Sequence, residues 1–325
     1  PRSGPHGPRV LIAGPTDSGK STLTRMLLAY ACRMGWTPTY VDCDLGQSSL
    51  TVPGCLAATP LDRLCLSVQH GVVETTPMTF FLGDLSLSEP NLYTHLVKKL
   101  ASAVFDRTSA QPHSNASGCI INTMGWVKEL GYTVLKETVR ALAVDVILVL
   151  GQDKLLADLT RDFSARNEWG PPGPQPIVLK LPTSGGVVER PPKYRQHTRR
   201  SNIRQYFYGL DGKLSPQSTV KSFSELVLVK LSAAASSSMN LPVGSTSTLE
   251  PVRATEVPFT KDVESHVLAV SFAPTSKDVP SANVAGFVHV TNVDVDAQTV
   301  TLLAPCAVPF PSNVLQLSKI KWYDE

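Results

Sequence analysis

Short apolar runs alternate with segments of helical periodicity over the first two thirds of the chain. The runs with strand character are RVLIAG, TPTYVDCD, GCIINTMGW, VDVILVL and IVLKL. Between them, apolar residues at every third or fourth position predict the helices KSTLTRMLLAYACRMG, LYTHLVKKLASAVFDR, VLKETVRALA and KLLADLTRDF. Apolar strands separated by helices indicate an α/β fold, with a parallel sheet covered by helices on both faces.

This pattern changes after Gly209, where helical periodicity fades. The stretch SAAASSSMNLPVGSTSTLE predicts an exposed insertion, and the earlier loop NEWGPPGPQP is rich in proline and glycine. HVLAVSF, VAGFVHVTNVDVD and TVTLLAP then follow as short β-rich runs. We therefore predict a linker remnant over residues 1–8, an α/β domain over 9–209 and a smaller β-rich domain over 210–325.

Composition narrows the classes of protein that fit. Hydrophobic residues make up 42% of the 325 residues and charged residues 18%, which is typical of a globular protein rather than a disordered one. The net charge of +3 does not by itself indicate a nucleic-acid binder. No apolar run approaches the length of about 18 residues that a membrane span requires. The six cysteines form no C-x-x-C pair, which argues against a zinc site and suits the cytosol or nucleus.

A phosphate-binding loop follows the first predicted strand. Gly14, Gly19, Lys20 and Ser21 satisfy the pattern G-x-x-x-x-G-K-[ST]. Glycines let the backbone N–H groups turn inward, and the helix that follows adds its positive N-terminal dipole. Lys20 is predicted to reach the β- and γ-phosphates of a nucleotide, and the Ser21 hydroxyl to hold Mg²⁺.

Two carboxylates end the second predicted strand, in the sequence VDCDLGQ. Asp42 and Asp44 are two residues apart and so lie on the same face of a strand. A carboxylate at this tip faces the phosphates, where it binds Mg²⁺ through water or acts as a base. Asp44 is nearer the tip and is the better candidate, although both residues also fit an ordinary turn at a strand end.

A basic segment, ERPPKYRQHTRRSNIRQYFYG, has the composition of a lid over a phosphate site. Pro191 and Pro192 fit the start of a helix. Arg199 and Arg204 are predicted to point at the phosphates, where guanidinium groups stabilise charge on a transferring phosphoryl group. A solvated basic helix is the alternative. A GTP switch is disfavoured, since the chain has no N-K-x-D motif.

Several ordered motifs resemble one family across nearly the whole chain, from about Arg9 to Trp322. They are GPTDSGKSTLTRMLL, VDCDLGQ, VPGCLAATPL, INTMGWVKELGY, SGGVVER, IRQYFYG, NVAGFVHVTNVDV and LLAPC. Together they resemble the eukaryotic polyribonucleotide 5′-hydroxyl kinases that are also subunits of the pre-mRNA 3′-end cleavage complex. That family has an N-terminal β domain, a central P-loop kinase domain and a C-terminal domain. The resemblance implies that this chain lacks the first part, which helps to enclose the adenine.

The resemblance also implies roles for individual residues. ATP phosphates would be bound by Asp17, Ser18, Gly19, Lys20, Ser21 and Thr22. Asp44 would assist deprotonation of the RNA 5′-hydroxyl and order Mg²⁺ water, while Arg199 and Arg204 would clamp the phosphoryl group. Gln47, Thr123 and Trp126 would contact RNA, with Trp126 stacked on a base for about 1–3 kcal/mol. Trp126 as plain core packing is the alternative.

One stretch departs from the family's active members, which carry a turn similar to GHTTP. The corresponding sequence here is LGDLSLSEP, with Gly83 kept, Asp84 in place of the histidine, and Leu85 and Ser86 in place of the threonines that grip RNA in active members. An acid at this point would repel the RNA backbone.

Three functions therefore stay open. The favoured one is an ATP- and Mg²⁺-dependent RNA 5′-hydroxyl kinase, nuclear, acting with other cleavage-complex subunits. A further partnership with the tRNA splicing endonuclease is also implied. The second is an ATP-binding scaffold of the same complex without turnover. A plain ATPase is the third, and the lid and the T-x-G-W stretch, Thr123 to Trp126, argue against it.

Overall fold

The computed structural model describes residues 6–62, 66–67, 71–72, 75–164, 175–233, 252–307 and 309–324. Most of the predicted proline-rich loop and serine-rich insertion lies outside these ranges. Backbone contacts divide the chain into a first unit, Pro1–Thr79 with Val97–Asn202, and a second unit, Phe80–Leu96 with Ile203–Glu325. The boundary predicted near Leu210 cuts the chain once, whereas these contacts also group Phe80–Leu96 with the C-terminal residues.

Helices and strands alternate through the first part of the chain. In chain order they are β1 (Arg9–Ala13), α1 (Lys20–Arg33), β2 (Thr39–Cys43), β3 (Cys55–Pro60), β4 (Leu66–Ser67), β5 (Gly71–Val72), β6 (Met78–Phe81), α2 (Pro90–Ser109), α3 (Pro112–Ser117), β7 (Cys119–Thr123), α4 (Leu130–Ala141), β8 (Val146–Leu150), α5 (Asp153–Ser164), β9 (Ile177–Leu181) and α6 (Pro192–Tyr208). The predicted α/β pattern is confirmed, since each predicted strand and helix of this region is present.

The main sheet has the strand order β6-β3-β2-β7-β1-β8-β9. The predicted strands β2, β7, β1, β8 and β9 pair in parallel, as expected. Strand β3 was not predicted, and it runs antiparallel to β2. At β9, the last strand at its edge of the sheet, Ile177 and Leu179 are each 47% exposed.

Helix α1 packs one face against the sheet. Its buried residues Thr24, Leu28 and Cys32 recur every four positions, and Leu28 and Cys32 join a core cluster with Ile12 and Tyr40. The helix stops where the sequence predicts, because Gly35 takes a left-handed φ of 86° and its N–H bonds to the Cys32 carbonyl. A loop of residues 14–19 joins the end of β1 to the start of α1.

The second unit is β-rich, as predicted. Its sheet has the order β10-β15-β14-β13-β16-β11-β12, with strands β10 (Gln217–Ser222), β11 (Val227–Ala233), β12 (Val252–Glu256), β13 (Val267–Ser271), β14 (Val284–Asp294), β15 (Thr299–Ala304) and β16 (Val314–Gln316). An aliphatic core that includes Leu268, Val288 and Leu302 lies beneath it. Within this unit, the Gln316 amide donates to the Phe81 carbonyl at 2.7 Å.

The cysteines and the apolar character of the helices can be described for the residues given above. Among these residues, Cys32, Cys43, Cys55 and Cys119 are buried, Cys306 is exposed, and none of the five forms a disulfide. Cys65 lies outside the described ranges. A search of the helices that the structure describes finds none with the length and apolar character to cross a membrane.

Candidate active site

The loop between β1 and α1 folds back on itself. Gly19 takes a φ of 92°, in the left-handed region, immediately before helix α1. The Ser18 hydroxyl and the Lys20 ammonium both donate to the carbonyl of Pro15, at 2.8 and 2.7 Å. The loop is therefore closed at the N-terminus of α1, where backbone N–H groups and the helix dipole favour an anion.

A cavity of about 670 Å³ opens above this loop. Most of the predicted site residues line it together, namely Asp17, Ser18, Gly19, Lys20, Ser21, Thr22, Asp44, Gln47 and Arg199. The volume lies in the range of about 300–1,000 Å³ that is usual for small-molecule and cofactor sites. Residues as far apart in sequence as Asp17 and Arg199, which are separated by 182 positions, thus line one cavity.

Lys20 and Asp44 shift each other's titration. Burial lowers the pKa of the Lys20 ammonium to about 8, and the charges of Asp44 and Asp17 oppose that shift. Burial also raises the pKa of Asp44 to about 6, and the neighbouring Asp42 charge adds to the rise. Lys20 lowers it again in part. A base whose pKa lies close to neutrality can accept a proton and later release it.

The two carboxylates of VDCDLGQ have different surroundings. Asp42 is 1% exposed and accepts hydrogen bonds from the Asn122 amide, at 3.1 Å, and from the N–H and hydroxyl of Ser49, at 2.8 and 2.9 Å. Asp44 is half-buried and lines the cavity, and among the described residues it accepts hydrogen bonds only from the backbone N–H groups of Gly46 and Gln47. The sequence preference for Asp44 as the reactive carboxylate is consistent with this geometry.

The arginines of the predicted lid that line the cavity differ in whether they form an ion pair. Arg190, Arg195 and Arg199 line the cavity. Arg195 pairs with Asp17 at 2.7 Å, whereas Arg199 has neither an ion pair nor a hydrogen bond among the residues that the structure describes. Burial lowers the pKa of Arg199, and the charge of Arg195 adds to this. A guanidinium that is partly desolvated and unpaired is suited to receive an anion.

Arg204 is placed otherwise. Within the second unit its guanidinium pairs with Asp324 at 2.6 Å and lies over the Tyr208 ring, 4.8 Å from the centroid. Tyr208 also donates its hydroxyl to Asp324. The predicted clamp on a phosphoryl group requires Arg204 to leave this carboxylate, and it stays a prediction.

The three residues predicted to contact RNA also differ in their exposure and position. Gln47 lines the cavity and donates its side-chain amide to the Gly46 carbonyl. Thr123 is only 3% exposed and donates its hydroxyl to Ile12, so this geometry gives no support to an RNA contact by Thr123. Trp126 is 41% exposed, which excludes the alternative that it is plain core packing.

Gly125 approaches the phosphate loop very closely. A Cβ on this residue would lie 2.6 Å from the Thr16 hydroxyl and 2.7 Å from the Thr16 backbone. The T-x-G-W motif predicts an RNA contact for this stretch but does not predict that Gly125 contacts the phosphate loop. A glycine between a strand and a tryptophan was the available signal.

The donor set fits Mg²⁺ bound together with a nucleotide. Ser21 supplies a hydroxyl and Asp44 a carboxylate at the edge of the cavity. Magnesium in nucleotide sites takes one or two protein oxygens and completes its shell with phosphates and water. Over the described ranges, no cluster of three or more His, Cys, Asp or Glu forms a cage for a metal by itself.

Asp84, the residue that departs from the family's turn, has its negative charge compensated by Lys319 within the second unit. Its carboxylate accepts from the Ser86 N–H at 2.9 Å, from the Ser88 hydroxyl at 2.6 Å and from Lys319 at 2.7 Å. Burial alone would raise the pKa of Asp84, but Lys319 and the serines outweigh burial and lower it. The acid is therefore an ionised anchor of the turn and is paired with a lysine.

The parallel strand, the glycine-rich turn after it and the buried lysine under the turn define a P-loop nucleotide-binding protein. Similarity to known proteins narrows this class. Residues 14–209 match the family model described as "mRNA cleavage and polyadenylation factor CLP1 P-loop", and residues 214–324 match "Pre-mRNA cleavage complex II protein Clp1". The chain belongs to the Clp1 family.

Named relatives agree over nearly the whole chain. The "Protein CLP1 homolog" of Arabidopsis thaliana is 40% identical over 98% of this chain and 70% of its own length. The "Polyribonucleotide 5′-hydroxyl-kinase Clp1" of Homo sapiens is 37% identical over 98% of this chain and 73% of its own length. The resemblance inferred from the motifs is confirmed.

Solved structures support the fold. A Clp1p–Pcf11p complex superposes with a TM-score of 0.83 at 23% identity, covering 100% of this chain and 76% of that chain. A second structure, described by the extended interface between Pcf11p and Clp1p and by ATP loss in a point mutant, gives 0.80 at 25% identity, over 98% of this chain and 76% of that one.

Proposed function

We propose that this protein transfers the γ-phosphoryl group of ATP to the 5′-hydroxyl of RNA. Relatives of this chain carry the name of that activity. The observation that carries the proposal is the meeting of Lys20, Asp44 and the unpaired Arg199 around one cavity. Lys20 supplies a cation that can bind phosphate, and Asp44 is a base with a pKa of about 6. Arg199 supplies a guanidinium with no ion pair or hydrogen bond among the described residues.

The reaction follows from these positions. The phosphate loop and Lys20 hold the β- and γ-phosphates of the substrate ATP. Asp44 accepts the proton of the RNA 5′-hydroxyl while the hydroxyl oxygen forms a bond to the γ-phosphorus. The bond between the γ-phosphorus and the β,γ-bridging oxygen breaks, and ADP leaves. Arg199 stabilises the charge on the transferring group. Positioning and electrostatics provide most of the catalysis in such a transfer.

Ser21 and Asp44 are the residues that would hold Mg²⁺ in this site. Bound there, the ion would neutralise charge on the β- and γ-phosphates. Asp44 would then both order the water around the ion and accept the proton, two roles that a carboxylate at this edge can combine.

RNA would enter beside the loop between β7 and α4. The exposed ring of Trp126 is available to stack on a base, and Gln47 lies at the cavity. Trp126→Ala should therefore raise the KM for RNA while the affinity for ATP stays the same. Equal loss of both would mean that the ring supports the site rather than the RNA.

We place the protein in the nucleus, within the machinery that cleaves pre-mRNA at its 3′ end. Support comes from the family descriptions and from the relatives solved with Pcf11p. A subunit of the Pcf11 kind is the first partner to test. The tRNA splicing endonuclease is a second, and it rests on the resemblance alone.

The rival function is an ATP-binding scaffold that never turns over. Two observations favour it. Asp84 is locked to Lys319 where active members carry an RNA-gripping turn, and Arg204 is held by Asp324. An intact phosphate loop with Lys20 and Asp44 in place favours the kinase.

A single transfer assay decides between them. The protein is incubated with γ-labelled ATP and a 5′-hydroxyl RNA oligonucleotide, beside Lys20→Ala and Arg204→Ala. Lys136→Ala serves as control, since it removes a lysine of the first unit that pairs with Asp162 instead of lining the cavity. We expect label on RNA with the parent and the control only. Tight ATP binding without label would establish the scaffold, and free phosphate released without RNA would indicate an ATPase.

A further inference from the structure

Asp17 is an acidic residue inside a loop that binds anions. It lies between Gly14 and Gly19 and lines the same cavity as Lys20. The backbone N–H groups of such a loop and the dipole of α1 attract negative charge, so a bound triphosphate would repel a free carboxylate here. Its role needs an explanation other than phosphate binding.

The carboxylate of Asp17 is engaged by the lid segment. One oxygen, Oδ2, accepts the Arg190 N–H at 3.1 Å and the Arg195 guanidinium at 2.7 Å. Both side chains of the ion pair are mostly buried, with 16% of Asp17 and 29% of Arg195 exposed. Burial raises the pKa of Asp17, but the Arg190 N–H and the Arg195 charge outweigh burial and lower it.

Backbone conformation presents the side chain in this direction. Asp17 has a φ of 56°, in the left-handed region that few residue types other than glycine tolerate. Asparagine and aspartate are the usual exceptions. The position therefore accepts Asp or Asn at low cost, which makes Asp17→Asn a substitution that removes the charge and keeps the loop.

We propose that Asp17 is a positioning residue that fastens the start of helix α6 to the phosphate loop through Arg195 and the Arg190 N–H. Arg199 lies one helical turn beyond Arg195, on the same side of α6. Fastening Arg195 therefore holds the unpaired Arg199 at the cavity. This inference rests on the proposed function, and it assigns the three arginines at the cavity separate tasks.

The proposal divides the work of the lid. Arg190 contributes its backbone N–H, and Arg195 gives its charge to Asp17. The Arg190 guanidinium lies over the Tyr194 ring, 5.4 Å from its centroid. In the part of the chain that the structure describes, Arg199 alone among these three therefore has a guanidinium with no ion pair, hydrogen bond or ring contact, and it is available to the phosphoryl group. If Asp17 were instead a nucleotide ligand, Arg195 would have to exchange its carboxylate for phosphate when ATP binds.

Hydrogen exchange of the full chain without nucleotide tests the fastening directly. Amides over residues 189–200 should exchange roughly fivefold faster in Asp17→Asn and in Arg195→Gln than in the parent. The double variant should be no faster than either single one, because both remove the same contact. Additive effects, or unchanged exchange in Asp17→Asn, would overturn the proposal. Asp162→Asn is the matched control, since it breaks a similarly buried pair with Lys136 and should leave this segment unchanged.

Kinetics give the second readout. Asp17→Asn and Arg195→Gln should each lower kcat about tenfold, because Arg199 is no longer held in place. Asp17→Glu, which keeps the charge, should recover part of the loss. A change in ATP affinity with unchanged kcat would make Asp17 a ligand instead. Failure of the parent to phosphorylate RNA would count against the proposed function alone, since the exchange result does not depend on turnover.

Discussion

The Asn122 amide donates a hydrogen bond of 3.1 Å to Asp42, and both residues are 1% exposed. The parallel register of β2 and β7 pairs these two residues directly. The Asp44 N–H donates to the same oxygen of Asp42 at 3.2 Å, and the N–H and hydroxyl of Ser49 donate to the other oxygen, so both lone pairs of each oxygen are used. Asp44, two residues on, is the carboxylate that the fold leaves available.

Removing the Asp42 carboxylate should destabilise the protein. Asp42→Ala removes the acceptor of the buried Asn122 amide and of the half-buried Ser49 N–H, so we expect a loss of about 2–4 kcal/mol in the free energy of unfolding. Urea denaturation measures it. Asp44→Ala should cost about 1 kcal/mol or less and abolish transfer. The assignment fails if Asp44→Ala is the more destabilising of the two.

The pH dependence of kcat/KM should reflect Asp44 and Lys20. Asp44 must be ionised to accept a proton, so activity should fall as the pH drops below its pKa of about 6. Lys20 must be charged to bind phosphate, so activity should fall as the pH rises above its pKa of about 8. The expected profile is a bell between these limits.

Asp44→Asn should remove the lower limb of that bell. We also expect it to lower the rate by roughly 10²–10⁴, the usual contribution of a general base. Steady-state rates over a series of buffers at constant ionic strength provide the measurement. A lower limb that survives in Asp44→Asn would belong to another group.

A methyl group added at Gly125 has no room beside the phosphate loop, so it should weaken ATP binding. Gly125→Ala would place a Cβ 2.7 Å from the Thr16 backbone, so the loop must shift. We expect ATP affinity to fall by about tenfold or more, measured by calorimetric titration. Gly185→Ala is the control, because its Cβ would meet nothing within 4 Å. Equal affinity in both variants would show that the loop accommodates the change.

Releasing Arg204 from Asp324 should raise turnover if Arg204 clamps the phosphoryl group. The pair is 54% and 34% exposed, and pairs of this kind contribute about 0.2–1 kcal/mol. Asp324→Asn should therefore increase kcat by up to about fivefold with little change in stability. Glu225→Gln, which breaks the exposed pair with Lys221, controls for loss of a surface charge. A lower kcat in Asp324→Asn would show that Asp324 supports Arg204 in the working arrangement.

Local patterns were sufficient to predict much of this protein. Apolar runs and helical spacing predicted the parallel strands and their helices, because period and burial depend on neighbouring residues. The nine-residue stretch from Gly14 to Thr22 predicted the phosphate loop, since its glycines, lysine and serine act within one turn of chain. Antiparallel β3 was missed, because its short apolar run is equally compatible with other structures.

Tertiary structure alone decided which charges are free. Asp17 and Arg195 are 178 positions apart, and Asp84 and Lys319 are 235 apart, so no local pattern could pair them. The sequence determined by itself that this protein has a phosphate loop, a carboxylate at a strand tip and a basic helix. Only the fold determined that Asp42 is buried and satisfied, that Arg195 is paired and that Arg199 stays free. Hydrogen bonds and ion pairs form between groups that chain folding brings together, and that proximity is not encoded in local periodicity.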